Sequence, residues 1–154
     1  MNTLPAVRDA LRAHGFNANR IARGLYQGAL PPPGPSAARF FDLVVFCAME
    51  VQPPVTDYPG VQLIQCPLKD DGSPMTADEW IRARQAGAEV AIAVLDGKRV
   101  LVTCYLGINR SGLVTALALR ILEAKPGSAC VEHVRRSRLG ALRNRYFVDA
   151  LRST

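Results

Sequence analysis

The stretch VLVTCYLGINRSG, residues 100–112, joins an apolar run to a helical pattern through a short loop. The β-branched residues before Cys104 predict a strand, and the apolar periodicity after Ser111 predicts a helix. Five residues separate Cys104 from Arg110, and Ser111 follows directly. A strand, a tight loop and a helix N-terminus can gather N–H groups and positive potential around one anion. The stretch therefore predicts a phosphate site with a cysteine at its base.

The residue types in this loop fit that chemistry. Gly107 permits a backbone conformation that a β-carbon would resist, and Asn109 tolerates a left-handed one. Arg110 offers a planar fork to two phosphate oxygens. Cys104 lies where the loop dipoles point, which favours its thiolate, and Ser111 is placed to donate a hydrogen bond to the sulfur. The expected phosphate-binding residues are Tyr105, Leu106, Gly107, Ile108, Asn109 and Arg110.

Outside this stretch, predicted strands and helices alternate along the chain. Strands are expected within 21–30 (one strand or a pair interrupted by glycine), 40–49, 61–68 and 99–104. Helices are expected at 3–14, from a capping box at Thr76 and Glu79 to Leu95, and at 111–124, 127–138 and 141–152. The alternation predicts an α/β fold, a mostly parallel or mixed central sheet flanked by helices. The length of 154 residues indicates a single domain, 1–154.

The charge of the chain favours anionic partners. The formal net charge is +6 at pH 7. Six arginines near the C-terminus contribute to it, and we interpret most of them as solvated helix faces: Arg135, Arg136, Arg138, Arg143, Arg145 and Arg152. Nucleic acid is not favoured as a partner, because this stretch lacks interleaved aromatic residues and any nucleic-acid-binding motif.

Cysteine spacing and hydropathy bear on metal binding, on membrane insertion and on the cellular compartment. The four cysteines form no CxxC pair and the two histidines lie far apart, so we expect no metal site and no cofactor. Cys47 and Cys66 lie inside apolar runs and are expected to be buried free thiols. No run approaches the roughly 18 apolar residues of a membrane span, and the N-terminus lacks the apolar segment of a signal peptide. We therefore expect a cytoplasmic protein without a membrane span.

The loop motif resembles a known signature. CYLGINRS is similar to C-x-x-G-x-x-R-[ST] of the cysteine-dependent protein tyrosine phosphatases, particularly the compact dual-specificity group. RGLYQGALP and HVRRSRLGALRNRYFVDAL resemble the opening strand and the closing helices of that family. The likeness covers about residues 20–152 and leaves residues 1–19 as an N-terminal helical extension. It implies a dual-specificity phosphatase-like fold.

The resemblance also implies a general acid. CPLKDDGSP resembles the family pattern P-[IL]-x-D, which aligns Asp70 with the acid, whereas Asp71 fits an Asp-Gly turn. The implied catalytic residues are Cys104, Arg110, Asp70 and Ser111. They imply a metal-independent phosphatase that acts through a phosphocysteine intermediate. The variable loop positions carry no lysine, unlike phosphoinositide phosphatases of the superfamily, so the expected partner is a phosphorylated protein.

Three alternatives stay open. Thr103 stands where the family usually has histidine, which helps to stabilise the thiolate, so the chain could be a weak or inactive phosphate-binding pseudophosphatase module. Sulfur transfer and arsenate reduction also use C-x5-R loops, but the PLKDD acid loop and the position of the motif two-thirds along the chain favour phosphatase chemistry. The choice between phosphotyrosine and phosphoserine or phosphothreonine is open.

Overall fold

The computed structural model describes residues 3–154 as one five-stranded sheet with helices on both faces. The strands are β1 Ala18–Ala22, β2 Leu25–Gly28, β3 Leu43–Ala48, β4 Gln62–Leu68 and β5 Val100–Thr103. The α-helices are α1 Leu4–Ala13, α2 Ala37–Phe40, α3 Ala77–Leu95, α4 Arg110–Glu123, α5 Gly127–Ser137 and α6 Arg145–Arg152. A 3-10 turn covers Val55–Asp57.

The sheet has the order β1-β2-β5-β3-β4 and is parallel except for its first strand. Strand β5 lies in the centre and pairs in parallel with β2 and β3, while β1 is antiparallel to β2. Every residue of β3 and β5 is buried, as their continuous apolar runs predict for strands covered on both faces. The predicted α/β class with a mostly parallel, mixed sheet is confirmed.

Two hydrophobic clusters cover the two faces of the sheet. Val45 and Cys47 of β3 point into the larger cluster, which also contains the inner faces of helices α3 to α6. Val44 and Phe46 point into a smaller cluster, where Leu11 of α1 is buried. Side chains that alternate between two apolar layers lose their water contact on both sides of the sheet. The core therefore holds β5 at the point where the loop of residues 104–109, the cysteine loop, leaves it.

Several element boundaries differ from those predicted. The segment 21–30 is a hairpin that begins earlier, at Ala18, with Gly24 in its turn at φ +75°. Helix α4 begins at Arg110 rather than Ser111. Helix α6 begins at Arg145, because the preceding loop turns towards the cysteine loop: the N–H of Leu142 donates to Ile108 O over 3.0 Å. Asn144 then caps α6 with its side chain.

The capping box of α3 and the buried free thiols of Cys47 and Cys66 are as predicted from the sequence. The Thr76 hydroxyl accepts from the Glu79 N–H, and the Glu79 carboxylate accepts from the Thr76 N–H. Cys47 and Cys66 are buried and free, and burial raises the pKa of the Cys47 thiol. Within residues 3–154, no helix is long and apolar enough to cross a membrane, and no three potential ligands are grouped as a metal site.

Candidate active site

The cysteine loop lies at the carboxyl end of β5, between the ends of two other parallel strands. Such edges are where open α/β sheets bind ligands. Cys104 follows β5 directly, and only 4% of its surface is exposed. Its Sγ lies 3.3 Å from the Oγ of Ser111, which is fully buried in the first turn of α4. The sulfur is thus held at the floor of the loop, with a hydroxyl beside it.

The loop carbonyls are turned outward by their surroundings. Tyr105 O accepts from Leu30 N, Leu106 O from Arg138 Nη2, Gly107 O from Gln27 Nε2 and Arg138 Nε, Ile108 O from Leu142 N, and Asn109 O from Leu113 N. In contrast, none of the N–H groups of residues 105–110 donates a backbone–backbone hydrogen bond within the described part of the chain. A loop with its acceptors engaged and its donors unengaged is suited to an anion. The N-terminal end of α4 adds positive potential there.

Gly107 is required for this loop shape, whereas Asn109 has a different role from the one predicted. Gly107 has φ +70°, and a β-carbon there would lie 2.3 Å from the carbonyl carbon of Gly28 at the end of β2. Asn109 is not left-handed: its φ is −99° and its ψ is −61°. Its side chain instead connects three segments around the site. The sequence indicated the correct backbone at Gly107 and missed the side-chain function of Asn109.

Arg110 is oriented by a carboxylate that the sequence did not point to. Its Nη1 and Nη2 donate to Glu50 Oε2 and Oε1 over 2.6 and 2.7 Å, and Nη1 also donates to Leu68 O over 3.2 Å. The hydrogen bonds between Arg110 and the Glu50 carboxylate lower the pKa of Glu50 to about 2. Burial by itself would lower the pKa of Arg110, but the hydrogen bonds to Glu50 and the negative charges of Cys104 and Glu50 together outweigh it, so the pKa of Arg110 is raised.

The third nitrogen of Arg110 is available to a ligand. Nε is buried and has no hydrogen-bond partner among the described residues. A buried donor without a partner is costly, and an anion in the loop would relieve that cost. The guanidinium therefore has two nitrogens held by Glu50 and a third suited to bind a phosphate oxygen.

Arg138 is a second buried cation, and it lies behind the loop. The interpretation of a solvated helix face is wrong for this residue, which is only 7% exposed. Its guanidinium donates to Gly107 O, Leu106 O and Asn19 Oδ1 over 2.6, 3.0 and 2.8 Å. Burial lowers its pKa, and the neighbouring Cys104 opposes that shift. Arg138 thus connects the cysteine loop to β1 and adds positive charge near the sulfur.

The structure brings Asp70 to the cysteine loop. Asp70 lies on the exposed loop after β4, and its two carboxylate oxygens accept from Asn109 Nδ2 over 3.0 Å and from Asn144 Nδ2 over 2.8 Å. The loop is also attached to α3, because the buried carboxylate of Glu79 accepts from Lys69 N over 3.1 Å. Asp71 accepts instead from the Ser73 N–H and hydroxyl, as predicted for a turn residue. Of the two aspartates, Asp70 is the one hydrogen-bonded to the cysteine loop.

Thr103 faces away from the cysteine loop. It is fully buried at the end of β5, and its Oγ1 donates to Val45 O of β3 over 2.8 Å. The hydroxyl therefore binds the neighbouring strand and does not take the place of a histidine that hydrogen-bonds within the loop. The charged group that contacts the loop from behind is Arg138.

Comparison with known proteins identifies the fold. No protein-family model matches the sequence, and a search of curated proteins found no match. Among solved structures, human DUSP28 is 25% identical with a TM-score of 0.74, over 88% of this chain and 90% of that one. Tk-PTP is 23% identical with a TM-score of 0.74, over 89% and 95%. PTPMT1 is 17% identical with a TM-score of 0.71, over 88% and 92%. The fold is that of the dual-specificity phosphatases.

Glu50, Gln27 and Arg138 contact the candidate site and were missed from the sequence. Glu50 could have been found, because it follows β3 closely and the ends of parallel neighbours β3 and β5 meet at one edge of the sheet. Gln27, whose Nε2 donates to Gly107 O, lies in a strand where its side chain looks unremarkable. Arg138 lies among five other arginines of the C-terminal stretch, and nothing in the local pattern separates it from them.

Proposed function

We propose that the chain is a metal-independent protein phosphatase that acts through a phosphocysteine intermediate. One observation carries the proposal: the carbonyls of residues 105–109 are all bonded outward, around a cysteine that lies next to Ser111. This arrangement leaves N–H groups and Arg110 Nε for the oxygens of a phosphoryl group, with the sulfur beneath. The structural kinship to cysteine-based phosphatases supports the same chemistry.

In the first step, the Cys104 thiolate attacks phosphorus in line with the leaving oxygen. A sulfur–phosphorus bond forms and the phosphorus–oxygen bond of the ester breaks. The loop N–H groups and Arg110 stabilise the charge on the equatorial oxygens. Asp70, as the general acid, transfers its proton to the leaving oxygen, and the products are phosphocysteine and an alcohol or phenol.

In the second step, water attacks the phosphocysteine. Asp70, now a carboxylate, accepts a proton from that water, and the sulfur–phosphorus bond breaks to release inorganic phosphate. Ser111, 3.3 Å from the sulfur, donates a hydrogen bond to the departing thiolate. Because Asp70 must be protonated while Cys104 is ionised, the pH dependence of the rate is bell-shaped.

A phosphorylated protein is the proposed substrate. The side chains that vary within the loop are Tyr105, Leu106, Ile108 and Asn109, and none is charged. Tyr105 and Leu106 are exposed beside the site, which favours apolar contacts with a polypeptide over contacts with several phosphates. A structurally similar protein, PTPMT1, has been crystallised with PI(5)P, so a phosphoinositide belongs in the substrate comparison.

A phosphate-binding pseudophosphatase module is the second candidate. Thr103 supports it, since its hydroxyl is bonded to β3 and leaves the loop without the contact that the family histidine supplies. Asp70 and Ser111, both hydrogen-bonded in the site, favour the enzyme, because a module that only binds phosphate needs neither an acid nor a leaving-group donor.

The test is hydrolysis of p-nitrophenyl phosphate between pH 5 and 8 with EDTA present. The wild type should turn over and be inhibited by vanadate, and Cys104→Ser should be inactive while still binding vanadate. Asp70→Asn should be slower by about 10² or more, the usual contribution of a general acid. A wild type that binds vanadate or phosphopeptide without turnover would establish the binding module instead. The substrate preference then follows from the rates on four compounds: phosphotyrosine, phosphoserine and phosphothreonine peptides, and PI(5)P.

A further inference from the structure

Two asparagine side chains hold Asp70 at the cysteine loop. Asn109 belongs to the loop itself, and Asn144 lies just before α6, far from Asp70 in sequence. Their Nδ2 groups donate to different carboxylate oxygens of Asp70, at 3.0 and 2.8 Å. Asp70 is exposed on a loop, where a free carboxylate would sample several rotamers. The two amides instead restrict it to one orientation.

The orientation of each amide follows from the hydrogen bonds on its other side. Asn109 Oδ1 accepts from the backbone N–H groups of Arg143 and Asn144, at 2.7 and 2.9 Å. Asn144 Oδ1 accepts from the N–H groups of Tyr146 and Phe147, as the N-cap of α6. Because a carbonyl oxygen accepts these N–H donors, the NH₂ group of each amide must face Asp70. The arrangement cannot be reversed without losing several hydrogen bonds.

We infer that Asn109 and Asn144 are positioning residues for the general acid, an inference that rests on the proposed function. Each carboxylate oxygen of Asp70 has two lone pairs, and each amide occupies one of them. A lone pair remains on either oxygen to carry the proton, so both asparagines stay bonded when Asp70 is protonated. The acid is therefore oriented before substrate binds, which is the preorganisation that proton transfer to a leaving group needs.

The experiment compares leaving groups in Asn144→Ser. Serine is as good an N-cap as asparagine, so α6 keeps its cap, while the hydroxyl is too short to replace the amide at Asp70. Phenyl phosphate has a basic leaving group that needs a proton, and 2,4-dinitrophenyl phosphate has one that departs without it. We expect kcat/KM to fall about tenfold for phenyl phosphate, as for one lost charge-assisted hydrogen bond. For the dinitrophenyl ester the loss should stay within about twofold.

Two further variants separate positioning from folding. Asn144→Ala also removes the cap, so it should unfold at a lower temperature than Asn144→Ser yet show the same loss on phenyl phosphate. In an Asp70→Asn background, Asn144→Ser should cause no further loss, because the group that it positions is gone.

Three results would overturn the inference. The first is an equal loss on both esters, and the second is no loss on either. The third is an undiminished effect of Asn144→Ser in the Asp70→Asn background. Each of these leaves an active wild type and so leaves the proposed function intact. A wild type inactive on both esters would overturn the proposed function, and the positioning role with it.

Discussion

Replacement of Arg138 by methionine should weaken both the fold and the phosphate site. The guanidinium makes three hydrogen bonds of 3.0 Å or less, to Gly107 O, Leu106 O and Asn19 Oδ1. Methionine fills a similar volume and donates none of them. Gly107 O keeps Gln27 as a donor, but Leu106 O loses its only side-chain donor in the described chain. The cost comes from polar atoms left buried without partners.

The magnitude follows from those contacts. A hydrogen bond to a charged group contributes about 1.5–3 kcal/mol, and acceptors stranded in a buried site add to the loss. Because the desolvation of Arg138 itself is recovered, the net loss in free energy of unfolding should be about 3 kcal/mol. The free energy of unfolding of a domain is about 5–15 kcal/mol, so the variant should still fold at room temperature.

Urea unfolding and vanadate inhibition measure the two effects. Arg138→Met should bind vanadate at least about tenfold more weakly, because the Leu106 and Gly107 peptides are no longer held with their carbonyls outward and their N–H groups towards the anion. Arg138→Lys should be intermediate, since one ammonium group cannot reach three separated acceptors. The control is Arg136→Met, which changes an exposed arginine in the last turn of α5, two residues before Arg138, and should change neither quantity. If Arg138→Met and Arg136→Met behave alike, Arg138 does not hold the loop.

Three other perturbations give distinct results. Gly107→Ala should lower the free energy of unfolding by about 3 kcal/mol or more and abolish turnover, because its β-carbon would overlap the β2 backbone. The control is Gly72→Ala, also at positive φ but in open space, which should cost about 1 kcal/mol in urea unfolding. Similar losses in the two variants would show that the contact with β2 is not what requires glycine at position 107. Glu50 has a pKa of about 2 in the fold and an ordinary value of 4.5, so its contribution to stability is present above pH 4.5 and is lost as pH falls through 2. As the pH falls from 5 to 2, the free energy of unfolding should therefore decrease more in the wild type than in Glu50→Gln. The difference should be less than about 1 kcal/mol, because the Glu50 side chain is half-exposed. An equal decrease in the two proteins would refute this. Thr103→Val should lose about 1 kcal/mol in urea unfolding and keep kcat/KM within about twofold, whereas a large catalytic loss would mean that this hydroxyl acts in the loop.

Local patterns were enough to predict the frame of the site. The short apolar run before Cys104 is rich in β-branched residues and predicts a buried strand, and glycine and arginine at fixed offsets indicate the loop and the helix start. The capping box at Thr76 is confirmed at both of its hydrogen bonds, because N-cap chemistry depends on residues within one turn. The connection of the Asp70 loop to the same edge follows from parallel strand order.

The contacts that set the orientation of the functional groups could not be predicted in the same way. Arg138 reaches the cysteine loop from the C-cap of α5, and Asn144 reaches Asp70 from the α5–α6 connection, across long separations in sequence. Their residue types are ordinary for exposed helix ends, so only the tertiary packing assigns them. The same applies to Asn109, whose type suggested a left-handed backbone while its side chain bonds two other segments. Local propensity was outweighed there by hydrogen bonds between segments.

Trapping of the covalent intermediate tests whether Cys104 is the nucleophile. Wild type and Cys104→Ser would be mixed with an aryl phosphate, quenched in acid within the first turnovers, digested and analysed by mass spectrometry. We expect one added phosphoryl group on the peptide that contains Cys104, present in the wild type and absent from the serine variant. Turnover with no phosphoryl group on Cys104, or with the same group on another residue, would contradict it.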